Sequence, residues 1–333
     1  MGLKKPKILV VGSFMMDLIA SAPRVPNMGE TVIGTSFRTA PGGKGANQAV
    51  QCARLGASVT MAGCVGDDDF GREMTDAAKK SGVDISHVKI SKEHSSGVGN
   101  IQLETSEHGA KNRILVVPGA NFDLTPDDLN WLKDEVNQFD LVMLQLELAM
   151  PVGKYAAACA HAAGVPVMLN PAPASPLDAD LLACVTYLSP NEHEAALLTG
   201  LPLQANGTAV NREDLKKVTD ALLTRGVGRV IVTLGENGSV IASAEGVRSI
   251  PCVFMPDVKD PTAAGDSFVA AFCTGITAGL PEQEALAFAA HAAAITVSRM
   301  GAMPSLPTAA EVQALLRERG YAGFDPSELD ALQ

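Results

Sequence analysis

Positive charge is scarce in this chain: 26 Lys and Arg stand against 37 Asp and Glu, a formal net charge of -11. Nucleic-acid affinity rests on basic side chains neutralising phosphates, so DNA and RNA are not expected partners. Any anionic ligand must then be held by local donors, such as a helix N-terminus, against the field of the whole molecule. The six cysteines (Cys52, Cys64, Cys159, Cys184, Cys252, Cys273) form no CxxC pair and no Cys/His ligand spacing. They read as thiols of a reducing compartment rather than a disulfide framework or a zinc site. The longest apolar run, Ala287 to Val297, is interrupted by His291 and too short to span a membrane. Lys4, Lys5 and Lys7 ahead of an apolar stretch imitate a signal peptide, but Pro6 and Asp17 bracket a short β-branched run more typical of a buried strand. A soluble, cytoplasmic protein is expected. His87, His94, His108, His161 and His193 make no HxH or HExxH spacing, and GxSxG, Walker A and first-turn GxGxxG patterns are missing. Metalloprotease, serine hydrolase and dinucleotide oxidoreductase readings are therefore set aside. Aromatics make up only 4%, and the single tryptophan, Trp131, sits in an amphipathic pattern as a packing residue.

What the sequence does have is alternation. Its 333 residues are 47% hydrophobic and 19% charged, a globular composition. Buried-strand patterns recur at KILVVGS, SVTMAGCVG, DLVMLQLE, VPVMLNPAP, CVTYLSPN and RVIVTLG, mostly separated by helical patterns such as 44–55, 69–80 and 151–163. Alternating β and α elements imply an α/β fold, a three-layer αβα sandwich around a mostly parallel central sheet. Ligands in such sheets bind beyond the carboxyl ends of the strands, where Ser13, Asp17, Gln145, Glu147, Asn170, Asn191, Thr233 and Gly235 fall. Residues 30–40, 97–104 and 112–117 break the alternation and read as antiparallel strands. A small sheet on the edge of an α/β domain suggests a lid that closes over a ligand or pairs with another subunit. The expected organisation is one domain over 1–320, lid strands inserted at about 14–41 and 97–118, and a tail over 321–333 that frays after Tyr321. Residues 308–319 read as a packing helix.

Two segments carry chemistry. Gly42-Gly43-Lys44-Gly45-Ala46-Asn47 opens a helical pattern, so its glycines precede a helix N-terminus. Glycine content alone reads as a turn, but Lys44 and Asn47 lie three apart on the first helical turn and can face one hydroxylated ligand. In Asp260-Pro261-Thr262-Ala263-Ala264-Gly265-Asp266-Ser267-Phe268 the small residues leave consecutive amides uncovered at the positive end of an apolar helix, an anion hole made without lysine. Asp266 in the first turn reads as ordinary capping, or as a base that takes a proton from an alcohol attacking a bound phosphate.

Taken together, GGKGANQAV at 42–50 and DPTAAGDSF at 260–268 resemble the signature pair of the PfkB carbohydrate kinases. GSFMMD, GE at 29–30, PGAN, QLE, NPAPA, PNEHEA, TLG and GAMPS follow in that family's order over nearly the whole chain, and narrow the resemblance to members acting on D-ribose. The resemblance implies ATP-dependent phosphorylation of D-ribose at O5, with Asp266 as base and the amides of Ala263, Ala264, Gly265 and Asp266 around the moving phosphoryl group. It implies Asp17, Gly43, Lys44, Asn47 and Glu147 as sugar-binding residues, and Asn191, Glu194, Thr233 and Gly235, with Gly265, as the ATP site. Glu194 is implied for Mg2+, acting in part through water. Asp260, Thr262, Thr296, Arg299, Gly301 and Ser305 are implied for a monovalent cation, K+, and a homodimer through the lid is expected. Read without the resemblance, Asn191 and Glu194 are simply a helix cap, and His291 is a core or surface residue rather than a neighbour of adenine.

Three departures from the family pattern bear on these expectations. Pro261 stands where Thr is usual, which removes an N–H beside the cation ligands. Ala263 replaces a common Gly, which is tolerable if φ stays negative. Met15 falls where many bacterial members have Asn, which takes one hydrogen bond from the sugar. The competing readings are a relative acting on another pentose, a nucleoside or a ketohexose, and a non-catalytic sugar sensor on the same fold.

Overall fold

The computed structural model describes residues 2–106, 109–203, 205–206 and 209–333; His108 lies outside them. In chain order the strands are β1 (Lys7–Val11), β2 (Met15–Ala22), β3 (Ser36–Gly42), β4 (Ser58–Gly66), β5 (Val83–Ser91), β6 (Val98–Ser106), β7 (Gly109–Val117), β8 (Leu141–Leu144), β9 (Val167–Leu169), β10 (Tyr187–Leu188), β11 (Ala205–Asn206), β12 (Ala209–Val210), β13 (Arg229–Thr233), β14 (Ser239–Ser243) and β15 (Gly246–Ile250). The helices are α1 (Lys44–Arg54), α2 (Asp69–Lys80), α3 (Leu132–Glu135), α4 (Met150–Ala162), α5 (Ala179–Ala183), α6 (Glu192–Thr199), α7 (Arg212–Leu223), α8 (Ala264–Ala278), α9 (Glu282–Val297) and α10 (Ala309–Glu318).

Nine strands form one sheet in the order β15-β14-β13-β10-β9-β8-β1-β4-β5, parallel except for the antiparallel pairs β13-β14 and β14-β15. The reason is legible in β1. Ile8 and Val10 pack into one apolar layer with helices α1, α8 and α9, while Leu9 and Val11 pack into the other with α4 and α7. A strand with four consecutive apolar residues, as Ile8 to Val11, can be buried only between two helical layers. Three layers result, as the alternation of elements requires.

A second sheet, β3-β2-β6-β7, stands apart from the first. In-register partners share a face, so Asp17 (β2), Gly99 (β6) and Val116 (β7) look the same way, as do Ile19, Ile101 and Ile114. Strand β3 begins at Ser36 rather than near residue 30, and β2, inside the expected lid span of 14–41, pairs parallel with β6, so the small sheet is not wholly antiparallel.

The tail does not fray. Leu329 and Leu332, three apart on a 3-10 turn over Pro326–Leu332, are buried, and Gln313 Nε2 donates to the Pro326 carbonyl at 2.7 Å. Packing is tight enough that a Cβ at Gly56, whose φ is +97°, would lie 2.7 Å from the Leu332 carbonyl carbon. Among the described residues no helix is long and apolar enough to cross a membrane.

Candidate active site

The two chemical segments meet where α1 and α8 begin. Helix α1 starts at Lys44 directly after Gly43, which holds φ +95° and ψ 136°. That backbone brings the helix start against β1's tip: a Cβ on Gly43 would stand 2.7 Å from the Met15 nitrogen, and one on Gly45 would stand 2.5 Å from the Gly12 carbonyl carbon. Both obstacles are main chain and cannot yield as a side chain would. We expect Gly45→Ala to lower stability by about 3 kcal/mol, at the upper end of overpacking penalties. The same change at Gly153 inside α4, where an added Cβ meets nothing within 4 Å, should instead raise it by about 1 kcal/mol. Urea midpoints decide both; an unshifted Gly45→Ala midpoint would mean that α1 can slide away from β1.

This close approach aims the first amide of α1 at a carboxylate. Lys44 N donates to Glu147 Oε2 at 2.9 Å, and Ser13 Oγ donates to the same oxygen. An anion at a helix N-terminus is favoured by the uncovered amides there. Burial pushes the Glu147 carboxyl up, only partly opposed by Lys44 and Ser13. Asp17, from the small sheet, lies over Gly42 and Gly99; a Cβ on either would come within 3.0 Å of its carboxylate. Burial, then the charges of Glu147 and Asp266, raise Asp17 to about 6, with Arg38 opposing. Lys44 answers these acids. Burial alone would push its ammonium down, but Asp266, Glu147 and Glu194 together turn the net shift upward.

Asp266 is buried in the first turn of α8. Asn47 Nδ2 donates to its Oδ2 at 3.0 Å and Gln48 Nε2 to its Oδ1 at 3.1 Å. The turn in front of it departs from expectation in two ways. Ala263 sits at φ 62°, ψ 7°, the left-handed region, so the condition set for replacing Gly there is not met. A non-glycine residue in that region costs about 1–2 kcal/mol, borne here by the residue that caps the start of α8. The Ala264 amide, moreover, is occupied: it donates to the Pro261 carbonyl at 3.2 Å. The amides of Ala263, Gly265 and Asp266 have no backbone partner among the described residues. A Cβ on Gly265 would meet no atom within 4 Å, and Gly265 borders open space.

That space is a cavity of about 220 Å³ whose walls include Lys44, Asn191, Glu194, Thr233, Gly265 and Asp266. Asn191 and Glu194 do form a reciprocal cap on α6: Asn191 Oδ1 accepts from Glu194 N at 2.8 Å, and Asn191 N donates to Glu194 Oε2 at 2.9 Å. Capping and cavity wall are thus the same two residues, with burial raising Glu194. Gly235 lies just past Thr233, at φ 53° in a 3-10 turn.

The remaining expected ligands gather at the C-terminal end of α9. Asp260 N donates to the Val297 carbonyl at 3.2 Å, and the Asp260 carboxylate accepts from Thr262 N and Gly301 N, each at 2.9 Å. Burial would raise Asp260, but these bonds bring it below the ordinary range. Ser305 is buried and donates to the Ala302 carbonyl at 2.7 Å; Thr296 Oγ1 donates to Ser267 Oγ at 2.8 Å. Arg299 turns its guanidinium to Glu311 at 2.6 Å. His291 is buried in α9 with Nδ1 2.7 Å from the Ala287 carbonyl, and burial pushes it down.

Residues 5–309 match the model of the pfkB family carbohydrate kinases. This chain belongs to that family. Among curated pfkB relatives, the ribokinase of Schizosaccharomyces pombe is 41% identical over 312 residues, covering 92% of this chain and 96% of its own. The ribokinase of Bacillus subtilis is 37% identical over 309 residues, covering 93% and 99%. Among solved pfkB structures, Arabidopsis thaliana ribokinase in complex with ribose and ATP superposes with a TM-score of 0.85 at 31% identity, covering 94% of this chain and 99% of that one.

Ser13, Gln145 and Asn170 were expected at the strand tips but given no role, and Gln48 was not singled out. Ser13, Gln145 and Asn170 sit at strand tips, but nothing in their spacing distinguished contact from proximity. The signal for Gln48 was present, since it follows Lys44 by four residues and so shares its helix face.

Proposed function

We propose that this chain transfers the terminal phosphoryl group of ATP to the O5 hydroxyl of D-ribose, giving D-ribose 5-phosphate and ADP. The observation that carries the reading is Asp266, a buried carboxylate placed beside unpartnered amides and within 3.0 Å of Asn47 on the helix that also carries Lys44. Asp266 takes the O5 proton as the O5–phosphorus bond forms and the bond to ADP breaks. The amides of Ala263, Gly265 and Asp266 face the phosphoryl oxygens, the Ala264 amide being engaged. Such transfer needs little covalent help, so alignment and charge stabilisation supply most of the rate. Asp17 and Glu147 accept hydrogen bonds from ribose hydroxyls, and Lys44, Asn47 and the backbone at Gly43 complete that end.

ATP fits the cavity beside Asn191, Thr233 and Gly235, because the open face of Gly265 admits its phosphates. Glu194 has one oxygen engaged in the cap, and its Oε1 is left to hold Mg2+ through water. For K+, the carboxylate of Asp260, the hydroxyl of Ser305 and the carbonyls of Thr262, Thr296, Arg299 and Gly301 are hard oxygen donors at a helix C-terminus, the end that favours a cation. The exposed Ile114, Leu115, Val116 and Val117 of β7 suit pairing of the lid with a second copy, giving a homodimer. Sedimentation tests this. We place the enzyme in the cytoplasm, where ATP is at hand and its free thiols stay reduced.

A coupled ADP-release assay across D-ribose, 2-deoxy-D-ribose, nucleosides and ketohexoses, with and without K+, tests the whole reading. D-Ribose should give the highest kcat/KM. Binding of ribose without ADP release would favour the sugar sensor instead.

Asp17 adds a pH test. With a carboxyl near 6, its proton returns as pH falls through that value and an acceptor for the sugar is lost, so KM for ribose climbs below pH 6. For stability the sign is opposite. The folded chain holds this proton more tightly than the unfolded one, so stability falls as pH rises from the ordinary carboxyl range to about 6, and a constant penalty remains above it. Asp17→Asn removes that penalty. Its ligand-free thermal midpoint should rise by a few degrees, while KM for ribose rises by about tenfold or more. A lowered midpoint would show that the buried charge is stabilised where it sits.

A further inference from the structure

The reaction as described leaves a chain of buried amides behind Asp266 without a task. Gln48 is fully buried on α1. Its Nε2 donates to Asp266 Oδ1 at 3.1 Å and to Asn170 Oδ1 at 3.2 Å, and its Oε1 accepts from Gln145 Nε2 at 2.6 Å. Asn170 Nδ2 in turn donates to the Ser189 carbonyl at 2.9 Å. Every hydrogen-bonding atom of the Gln48 amide is therefore used, and only one orientation works. Turned over, its oxygen would face the oxygens of Asp266 and Asn170, and its nitrogen would face the Gln145 nitrogen.

The two donors to Asp266 differ in one respect. Asn47 Oδ1 is buried with no partner, so the Asn47 amide has unspent capacity and can turn to a sugar hydroxyl. Gln48 has both of its donor hydrogens committed, to Asp266 and Asn170. When a sugar draws Asn47 away from Oδ2, Gln48 still holds Oδ1, and the carboxylate keeps its angle.

We infer that Gln48, braced by Gln145 and Asn170, is a positioning residue for the transfer step: it pins Oδ1 of Asp266 so that Oδ2 is the oxygen presented to the sugar hydroxyl. The inference rests on Asp266 being the base. A misplacement of one ångström costs about 100-fold in rate when orientation carries the catalysis, so Gln48→Met should lower kcat by about 10- to 100-fold. Gln48 touches neither substrate, so KM for ribose and ATP should stay within about threefold, as should the ribose Kd measured by calorimetry without ATP. Gln145→Met, which removes only the brace, should lower kcat by about 3- to 10-fold with the same flat KM.

A merely structural role would move differently, with lost stability and weakened sugar binding arriving together. Gln48→Met with kcat within about twofold of the unsubstituted enzyme overturns the inference, and so does a kcat loss matched by an equal rise in ribose KM. Should Gln48→Met fail to fold, Gln145→Met decides by the same two criteria. Absence of ADP release from the unsubstituted protein would overturn the kinase reading and this inference with it. Normal turnover in both the unsubstituted and the Gln48→Met proteins overturns the positioning role alone.

Discussion

Asp266→Asn is expected to lower kcat about a thousandfold while KM for ATP and ribose changes by no more than a few-fold, the signature of an interaction made in the transition state. The substitution is nearly isosteric, and it leaves the backbone amides of the α8 turn where they are. What it removes is the acceptor for the O5 proton. An amide oxygen is too weak a base to receive that proton, so the attacking oxygen must carry it into the transition state. The fold should survive: Asn47 and Gln48 both donate to Asp266, and an Asn can accept one of those bonds through its own oxygen. Steady-state kinetics beside a thermal scan separates the cases. A variant that turns over at near the unsubstituted rate would remove Asp266 as base, whereas one that fails to melt cooperatively would show the bonds from α1 to be structural first.

Much of this arrangement was legible because the helices and central strands are dictated by periodicity. The patterns at 44–55, 69–80 and 308–319 became α1, α2 and α10 within two residues of their ends. The apolar runs ILVV and LVML became strand segments buried on both faces. Elements at the margins were harder. Strand β5 carries exposed polar residues along VDISHVKIS, as an edge strand must, and so lacks the apolar run that marks a central one. Strand β2 reads MMDLIASA, whose faces are set by the small sheet rather than by a water-facing alternation. The span around Trp131 reads as one amphipathic helix, yet it folds as 3-10 turns and the four-residue α3, with Trp131 stacked 3.8 Å from His87. In the site, glycine pattern located both helix starts. It could not give the left-handed φ of Ala263, because that conformation is imposed by the surrounding turn against the residue's own preference. Nor could it reveal that Gln48 bonds through both its nitrogen and its oxygen, which depends on partners 97 to 218 residues away.

Lys44→Met should be nearly as damaging as the loss of Asp266, by a different route. Lys44 lies among Glu147, Glu194 and Asp266, whose combined charge outweighs the burial that would otherwise discharge it. Methionine preserves the length and apolar stem but leaves the buried Asp266 and the half-buried Glu147 and Glu194 without their cation. Breaking a buried charge pair by removing one partner costs about 3–5 kcal/mol, and we expect a loss at the lower end of that range at pH 8. Deprived of Lys44, whose charge partly offsets the burial that raises Glu147 and Glu194, those two carboxyls rise further. The folded variant then binds protons more tightly than the unfolded chain, so its stability improves as pH falls. The gap between variant and unsubstituted enzyme should therefore narrow from pH 8 to pH 5.5 when urea midpoints are compared. Activity does not recover in parallel, because the protons that relieve the repulsion also occupy the oxygens the sugar needs. A gap that stays constant across that pH range would mean that Lys44 contributes packing rather than charge, and the electrostatic account of how one cation holds the sugar end and the phosphate end together would have to be abandoned.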